Sequence, residues 1–247
     1  MRGVILAGGR GRRLRTLARE VNKHLLVIHD RPLVCYALRT LVGAGIHDIV
    51  LVTNAGHVTA FEQALGSGHR FGCRITYAAQ DERAGTGSAL LAAEHAVDGE
   101  PFAVMLGDNI FTQDVGAELR RFERDGQHAK IFVDEVPEPN GFGVAIIDSG
   151  RVIDIVEKPQ VALGHYVATG LWVLRCDVFD RARQLRPSAR GEYEMTDVLA
   201  AYAREARLSH AFVTGRWMDV GTPEAVAEAR AHFAAVSSVP ASLADRV

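Results

Sequence analysis

The residues best equipped for chemistry come early in the chain. Leu6-Ala7-Gly8-Gly9-Arg10-Gly11-Arg12-Arg13-Leu14 follows the apolar Val4-Ile5. Glycines let backbone N–H groups approach an anion closely, and flanking guanidinium groups neutralise it. Lys23 lies ten residues beyond Arg13 and precedes the apolar Leu25-Leu26-Val27-Ile28. A loop that sets Arg13 and Lys23 on one triphosphate gives two cations for charge on its α- and β-phosphates. For the glycines alone, a plain tight connection between strand and helix is the competing reading. The segment is not a Walker loop, because Gly11 is not followed by Lys and Ser or Thr. Its glycine spacing also misses the dinucleotide fingerprint, which disfavours a Rossmann dehydrogenase.

Other chemistries find less support. Cys35, Cys73 and Cys176 are odd in number, widely separated and without a Cys-x-x-Cys pair. They read as buried free thiols rather than a disulfide framework or a thiolate zinc site. The ten histidines form no evident metal cluster along the sequence. Lys and Arg total 28 against 30 Asp and Glu, a formal charge of −2. That balance gives no sign of a nucleic-acid coat or a polybasic membrane patch. No apolar run approaches the ~20 residues of a membrane span. The stretch Val4-Ile5-Leu6-Ala7 is too short for a signal-peptide core. The expected location is cytoplasmic, with no nucleic-acid and no membrane partner; homo-oligomerisation is compatible with everything above.

The elements that must position these groups follow from periodicity. Residues 3–6, 49–53, 75–78 and 102–106 are β-branched or apolar runs that read as buried strands. Residues 32–44, 58–65 and 88–96 carry apolar side chains at helical spacing. Strand and helix in alternation predict βαβ units, a largely parallel sheet and right-handed crossovers. Ligands in such sheets bind beyond the carboxyl ends of the strands, which puts the loops after Leu6, Ala78 and Leu106 on one site. After Ala129 the pattern changes to successive strands at 130–136, 143–148, 152–157 and 167–174, an expected antiparallel extension over that site. Helices at 195–205 and 223–233 bracket a last strand at 208–213. The fold class expected is α/β, Rossmann-like, with a mixed, mostly parallel central sheet flanked by helices. It is read as one domain over 1–235, with a first part to about 128, a second from about 129, and a flexible tail at 236–247.

Six segments then carry a resemblance. Leu-Ala-Gly-Gly-x-Gly-x-Arg-Leu with Lys23-His24-Leu25-Leu26 is the first. Leu106-Gly107-Asp108-Asn109-Ile110-Phe111, Glu157-Lys158-Pro159 and Thr169-Gly170-Leu171-Trp172 follow in order. Arg186-Pro187-Ser188-Ala189-Arg190-Gly191-Glu192-Tyr193-Glu194-Met195-Thr196-Asp197 and Trp217-Met218-Asp219-Val220-Gly221-Thr222-Pro223 complete the set. Over almost the whole chain this pattern resembles the sugar-1-phosphate nucleotidylyltransferases, closest to the glucose-1-phosphate thymidylyltransferases.

The resemblance implies roles. Asp108 and Asp219 resemble the carboxylates that hold the cofactor, Mg²⁺; read without it, they are a turn residue after a strand and a helix cap. Arg13, Lys23 and Asp108 resemble the catalytic set. Leu6, Gly8, Gly11, Arg13, Gln80 and Gly85 resemble the nucleotide contacts, and Asn109, Gly143, Glu157, Lys158 and Thr169 those of the sugar phosphate. Glu192 and Glu194 support either the sugar pocket or the fold. The implied reaction transfers a nucleoside monophosphate from dTTP or UTP to a sugar 1-phosphate, glucose 1-phosphate first, with release of pyrophosphate. Arg12, Thr16, Ala18 and Val27 depart from the usual family residues, and Gly85-Thr86-Gly87-Ser88-Ala89 looks more like the uridylyltransferase branch. GTP or CTP with an unusual sugar phosphate is therefore an alternative, as is a catalytically idle, sugar-nucleotide-binding regulatory subunit. One helix and a polar tail follow Gly221-Thr222, so the second, product-feedback site of the longer resembled enzymes is not expected.

Overall fold

The computed structural model describes residues 1–9, 11–18, 22–80, 85–97 and 99–237. Arg10 of the glycine-rich motif and residues 238–247 of the expected tail lie outside them. The first half runs β1 (Arg2–Leu6), α1 (Arg15–Ala18), β2 (Val27–Ile28), β3 (Arg31–Pro32), α2 (Val34–Gly43) and β4 (Asp48–Asn54). It continues through α3 (Val58–Leu65), β5 (Arg74–Gln80), α4 (Thr86–Leu91), α5 (Glu94–Val97), β6 (Phe102–Leu106), β7 (Asn109–Phe111) and α6 (Gly116–Arg124). The second half holds β8 (Ala129–Glu135), β9 (Gly143–Asp148), β10 (Arg151–Glu157), β11 (Tyr166–Leu174) and α7 (Val178–Gln184). It ends with α8 (Met195–Arg204), β12 (Leu208–Phe212), β13 (Trp217–Asp219) and α9 (Pro223–Ser237).

The core of the sheet is parallel, with β1 between β4 and β6 and β5 outside β4. Its strands are apolar on successive residues because both faces are covered. Val4, Leu6 and Val104 point into one layer with α4, α7 and α8. Ile5, Ala7 and Met105 point into the other, against Leu38, Leu41, Phe61 and Phe122 of α2, α3 and α6. The antiparallel extension is present: β11 runs against β6, β8 and β9, and β9 against β10. The strand read at 208–213, β12, instead lies parallel to β8.

β11 is the strand that joins the two halves. On one edge it pairs with β9 through Val167 and Ala168, and with β6 through Leu171 to Leu174. Its register against β8 breaks between Ala168 and Trp172. Thr169 and Gly170 stand in that break, where the sheet forks between β9 and the end of β6. Irregularities of this kind re-aim a strand and interrupt its pairing. Here the fork opens beyond the carboxyl ends of the parallel strands.

Several elements differ from the sequence reading. The helix read at 88–96 is two short helices, α4 and α5. Helices α6 and α7 were not read from the sequence, and the ribbon of β7 with β13 unites two segments seen only as motifs. Helix α9 extends to Ser237, into the segment read as tail.

Candidate active site

The fork opens into a cleft of about 670 Å³. Every site residue singled out from the sequence lines it: Leu6, Gly8, Gly11, Arg13, Lys23, Gln80, Gly85, Asp108, Asn109, Gly143, Glu157, Lys158, Thr169 and Asp219.

The glycine-rich loop is roped at its root. Ala7 N–H donates to Val52 O at 2.8 Å, continuing the pairing of β1 with β4. Ala7 O accepts from Asn22 Nδ2 at 3.1 Å and from Thr53 Oγ1 at 3.0 Å. Asn22 Oδ1 in turn accepts from His24 N at 2.9 Å and lies 2.7 Å from His24 Nδ1. This network caps the short turn Lys23–Leu25 and sets Lys23 beside Gly11, where an added Cβ would lie 3.4 Å from Lys23 Cβ. Further along the loop, Gly9 N–H donates to Asn54 Oδ1 at 3.0 Å.

Gly8 is glycine for reasons of space. A Cβ there would sit 2.0 Å from Gln80 Oε1, so the loop and the end of β5 pack closely only without it. Gln80 Oε1 is buried and has no hydrogen-bond partner among the described residues. Such an acceptor is costly to leave unmet in a folded protein, and in a cleft it points to a ligand donor. Gly85 has φ +112°, a backbone state that side chains resist, and a Cβ would lie 2.4 Å from Tyr193 N.

At the centre stand four charged groups. Lys23 Nζ is hydrogen-bonded to Asp108 Oδ2. The ribbon of β7 with β13 brings Asp219 opposite Asn109, and Val220 N–H donates to Asp108 O at 2.9 Å. Gly221 lies between two of them, its would-be Cβ 3.2 Å from an Arg13 guanidinium nitrogen and 3.4 Å from Asp219 Oδ2. Burial works against the charge on Asp108, but the adjoining Lys23 ammonium overrides it and holds the carboxyl below its usual range. Burial also opposes charge on Lys23, and Asp108 again wins, raising the ammonium pKa. Asp219 goes the other way: burial, and then the negative charge of Asp108, push its pKa up.

Two buried carboxylates that cannot both ionise comfortably are a site short of positive charge. Their donor set is hard oxygen, which suits Mg²⁺, an ion held by one or two carboxylates while phosphates and waters complete its shell. Among the described residues no group of three or more His, Cys, Asp and Glu is placed to hold a metal without such help. The residues present therefore fit Mg²⁺ bound together with a phosphate ligand.

The other wall comes from the second half. Lys158 follows β10 with a left-handed φ of 44°, and its N–H donates to Phe142 O at 2.9 Å. Lys158 Nζ lies 3.4 Å from Glu157 Oε1. Arg190 gathers Glu157 at 3.0 Å, Glu192 at 3.3 Å and Glu194 at 2.7 Å. Glu194 also accepts from Ser188 Oγ at 2.9 Å, so both Glu192 and Glu194 anchor the loop that carries Arg190. Thr169 Oγ1 donates to Phe132 O at 2.8 Å. Sequence reasoning missed Asn54, Phe142 and Thr196 as cleft residues. Asn54 ends a parallel strand, a position that could have flagged it; Thr196 stands inside a quoted motif, and Phe142 carries no comparable signal.

A buried carboxylate pair flanked by an arginine and a lysine, at the mouth of a glycine loop, defines a nucleotide-handling α/β enzyme. The chain matches the nucleotidyl transferase family over residues 2–235 and belongs to it; it is a nucleotidyltransferase. It is 42% identical over 233 residues to the glucose-1-phosphate thymidylyltransferase of Mycolicibacterium smegmatis, covering 93% of this chain and 81% of that one. The enzyme of the same name from Actinoplanes sp. is 39% identical over 90% of this chain and 74% of its own. Among solved structures, a Bacillus anthracis protein crystallised with sucrose and named for glucose-1-phosphate thymidylyl transfer superposes with a TM-score of 0.89, at 37% identity over 94% of both chains. UDP-glucose pyrophosphorylase with bound UDP-glucose superposes with a TM-score of 0.84, at 26% identity over 95% of this chain and 98% of that one.

Proposed function

We propose that this nucleotidyltransferase acts on sugar 1-phosphates, joining a nucleoside monophosphate from dTTP or UTP to glucose 1-phosphate and releasing pyrophosphate, with Mg²⁺ as cofactor. The observation that carries the reading is the arrangement of cations. Arg13 and Lys23 come from the glycine-rich loop and the turn after it, Lys158 from the end of β10, and all three line the cleft and act on the buried Asp219. Two separate anions, a triphosphate and a sugar phosphate, are what such cations accommodate.

The phosphate oxygen of the sugar substrate is already an anion at neutral pH and needs no general base. It attacks the α-phosphorus in line, forming the new P–O bond as the bond to pyrophosphate breaks. The protein's work is to bring two like-charged substrates together and to stabilise charge on the equatorial oxygens. Arg13 and Lys23 hold the triphosphate, Lys158 holds the sugar phosphate, and Glu157 accepts from sugar hydroxyls. Asp108 and Asp219 hold Mg²⁺, which supplies positive charge to the phosphate oxygens. The buried Gln80 Oε1 accepts the ring N–H of an imide base while its amide nitrogen donates to a ring carbonyl. Thymine and uracil share that edge and differ by one methyl, worth ~1 kcal/mol, so both are accepted.

The test is pyrophosphate release with a panel of nucleoside triphosphates against a panel of sugar 1-phosphates. Release with dTTP or UTP and glucose 1-phosphate is expected. Preferred turnover of GTP or CTP would discard the assignment of Gln80, and no release with any pair would discard the activity.

A further inference from the structure

The Asn109 side chain is fully committed to the protein. Its Nδ2 donates to Asp108 Oδ1 at 3.2 Å and to Asp219 Oδ1 at 3.4 Å. Its Oδ1 accepts from Gly170 N at 3.0 Å and from Trp217 Nε1 at 2.6 Å. A carboxamide has two donor hydrogens and an oxygen with two lone pairs, so all four valences are taken. The orientation of the amide is fixed by its neighbours, because a backbone N–H and an indole N–H can only donate and must face the oxygen. The residue is 1% exposed.

Its four partners come from three separate parts of the chain. Asp108 lies in the turn before β7, Gly170 in the break of β11, and Trp217 and Asp219 on β13. Gly170 is shaped around this residue: a Cβ there would lie 2.5 Å from Asn109 Oδ1. The sheet fork and the ribbon thus meet on one amide. That amide sits between two like charges as a neutral donor to both. A lysine in its place would neutralise the pair, and an apolar residue would leave the two carboxylates to turn apart.

We infer that Asn109 is a positioning residue for the aspartate pair, holding Asp108 and Asp219 turned toward a shared cation. The inference rests on the proposed metal role of Asp108 and Asp219. Trp217 takes part through its indole N–H, which steadies the amide from the side away from the aspartates.

The test uses Mn²⁺ alone as the probe, its free fraction read by electron paramagnetic resonance with no substrate present. The full-length wild type is compared with Asn109→Ala, with folding checked by far-ultraviolet circular dichroism. The variant is expected to bind Mn²⁺ about tenfold or more weakly, the scale of losing hydrogen bonds to charged groups. In steady-state assays kcat is expected to fall while the KM for sugar phosphate moves less than about threefold, the split expected when an interaction outside substrate binding is lost. Asn109→Ser, which keeps a single donor, should fall between the two and serves if the alanine variant does not fold. Unchanged Mn²⁺ affinity in a folded variant, together with a raised KM for sugar phosphate, would overturn the inference in favour of a sugar contact. If the wild type binds no Mn²⁺ alone, the comparison is made at saturating dTTP, and no enzyme-bound Mn²⁺ under that condition either would remove the metal role itself, and the inference with it.

Discussion

At the scale of single residues, the site runs on buried charge, and each buried group has a countable set of partners. Asp108 is stabilised as a carboxylate by Lys23, whereas Asp219 lacks an equal partner and is raised by burial and by Asp108. Asp108→Asn is expected to lower kcat by about 10²-fold or more, the effect of losing one transition-state stabiliser. Near-normal turnover of the folded variant would take Asp108 out of the metal site. His24 gives a second prediction, on stability. Burial, and then the neighbouring Lys23 charge, lower its pKa to about 3, so the folded protein keeps the ring neutral. In the unfolded chain a histidine takes up its proton near pH 6.5. The contribution of His24 is therefore fully present above pH 6.5 and is lost as pH falls toward 3. Between pH 7 and pH 5 the loss amounts to about 2 kcal/mol. Urea unfolding of wild type and His24→Gln at both values measures it: the variant should lose less stability on acidification, and equal losses would refute the assignment.

At the scale of elements, the cleft exists because loops are packed against strand ends. The contact of Gly8 with Gln80 is the tightest of these, with no space for a methyl group. Gly8→Ala is expected to displace Gln80 and raise the KM for the nucleoside triphosphate by about tenfold, the scale of one buried hydrogen bond, with the KM for sugar phosphate little changed. Equal rises in both would mean that the whole loop has moved. The same scale shows what the sequence could disclose. The parallel strands were legible because two-sided burial writes continuous apolar runs, as in Phe102-Ala103-Val104-Met105-Leu106. Helix α6 was not, since Leu119 and Phe122 are the only large apolar side chains that it buries. The break between α4 and α5 falls at Ala92-Ala93, with no glycine or proline to mark it. The ribbon of β7 with β13 pairs Asn109 with Asp219, a contact that no local pattern records. The site residues were found through family motifs, and their neighbours Asn54 and Phe142 were not because they belong to none of them.

At the scale of the whole molecule, the two halves of the chain are parts of one sheet. β11 carries β6 on one stretch of an edge and β9 on the next, while β8 follows its other edge on both sides of the register break. The two large apolar clusters each draw residues from both halves: Val4 packs with Val198 in one, and Ile5 with Phe132 in the other. Separating the halves would expose both layers at once, so neither has a core of its own to keep. Small single domains with a shared core unfold in one cooperative step. Two tryptophans report on different places, since Trp172 lies on β11 within the sheet and Trp217 on β13 beside the aspartate pair. Urea unfolding followed by tryptophan fluorescence and by far-ultraviolet circular dichroism should give superimposable transitions with a single midpoint. Leu171→Ala, which removes a fully buried side chain where β11 meets β6, should shift both curves together by about 2–5 kcal/mol. A fluorescence transition that precedes the dichroism change would mean that the ribbon and fork open before the sheet. The cleft would then be built from two separately folding units and not from a single one.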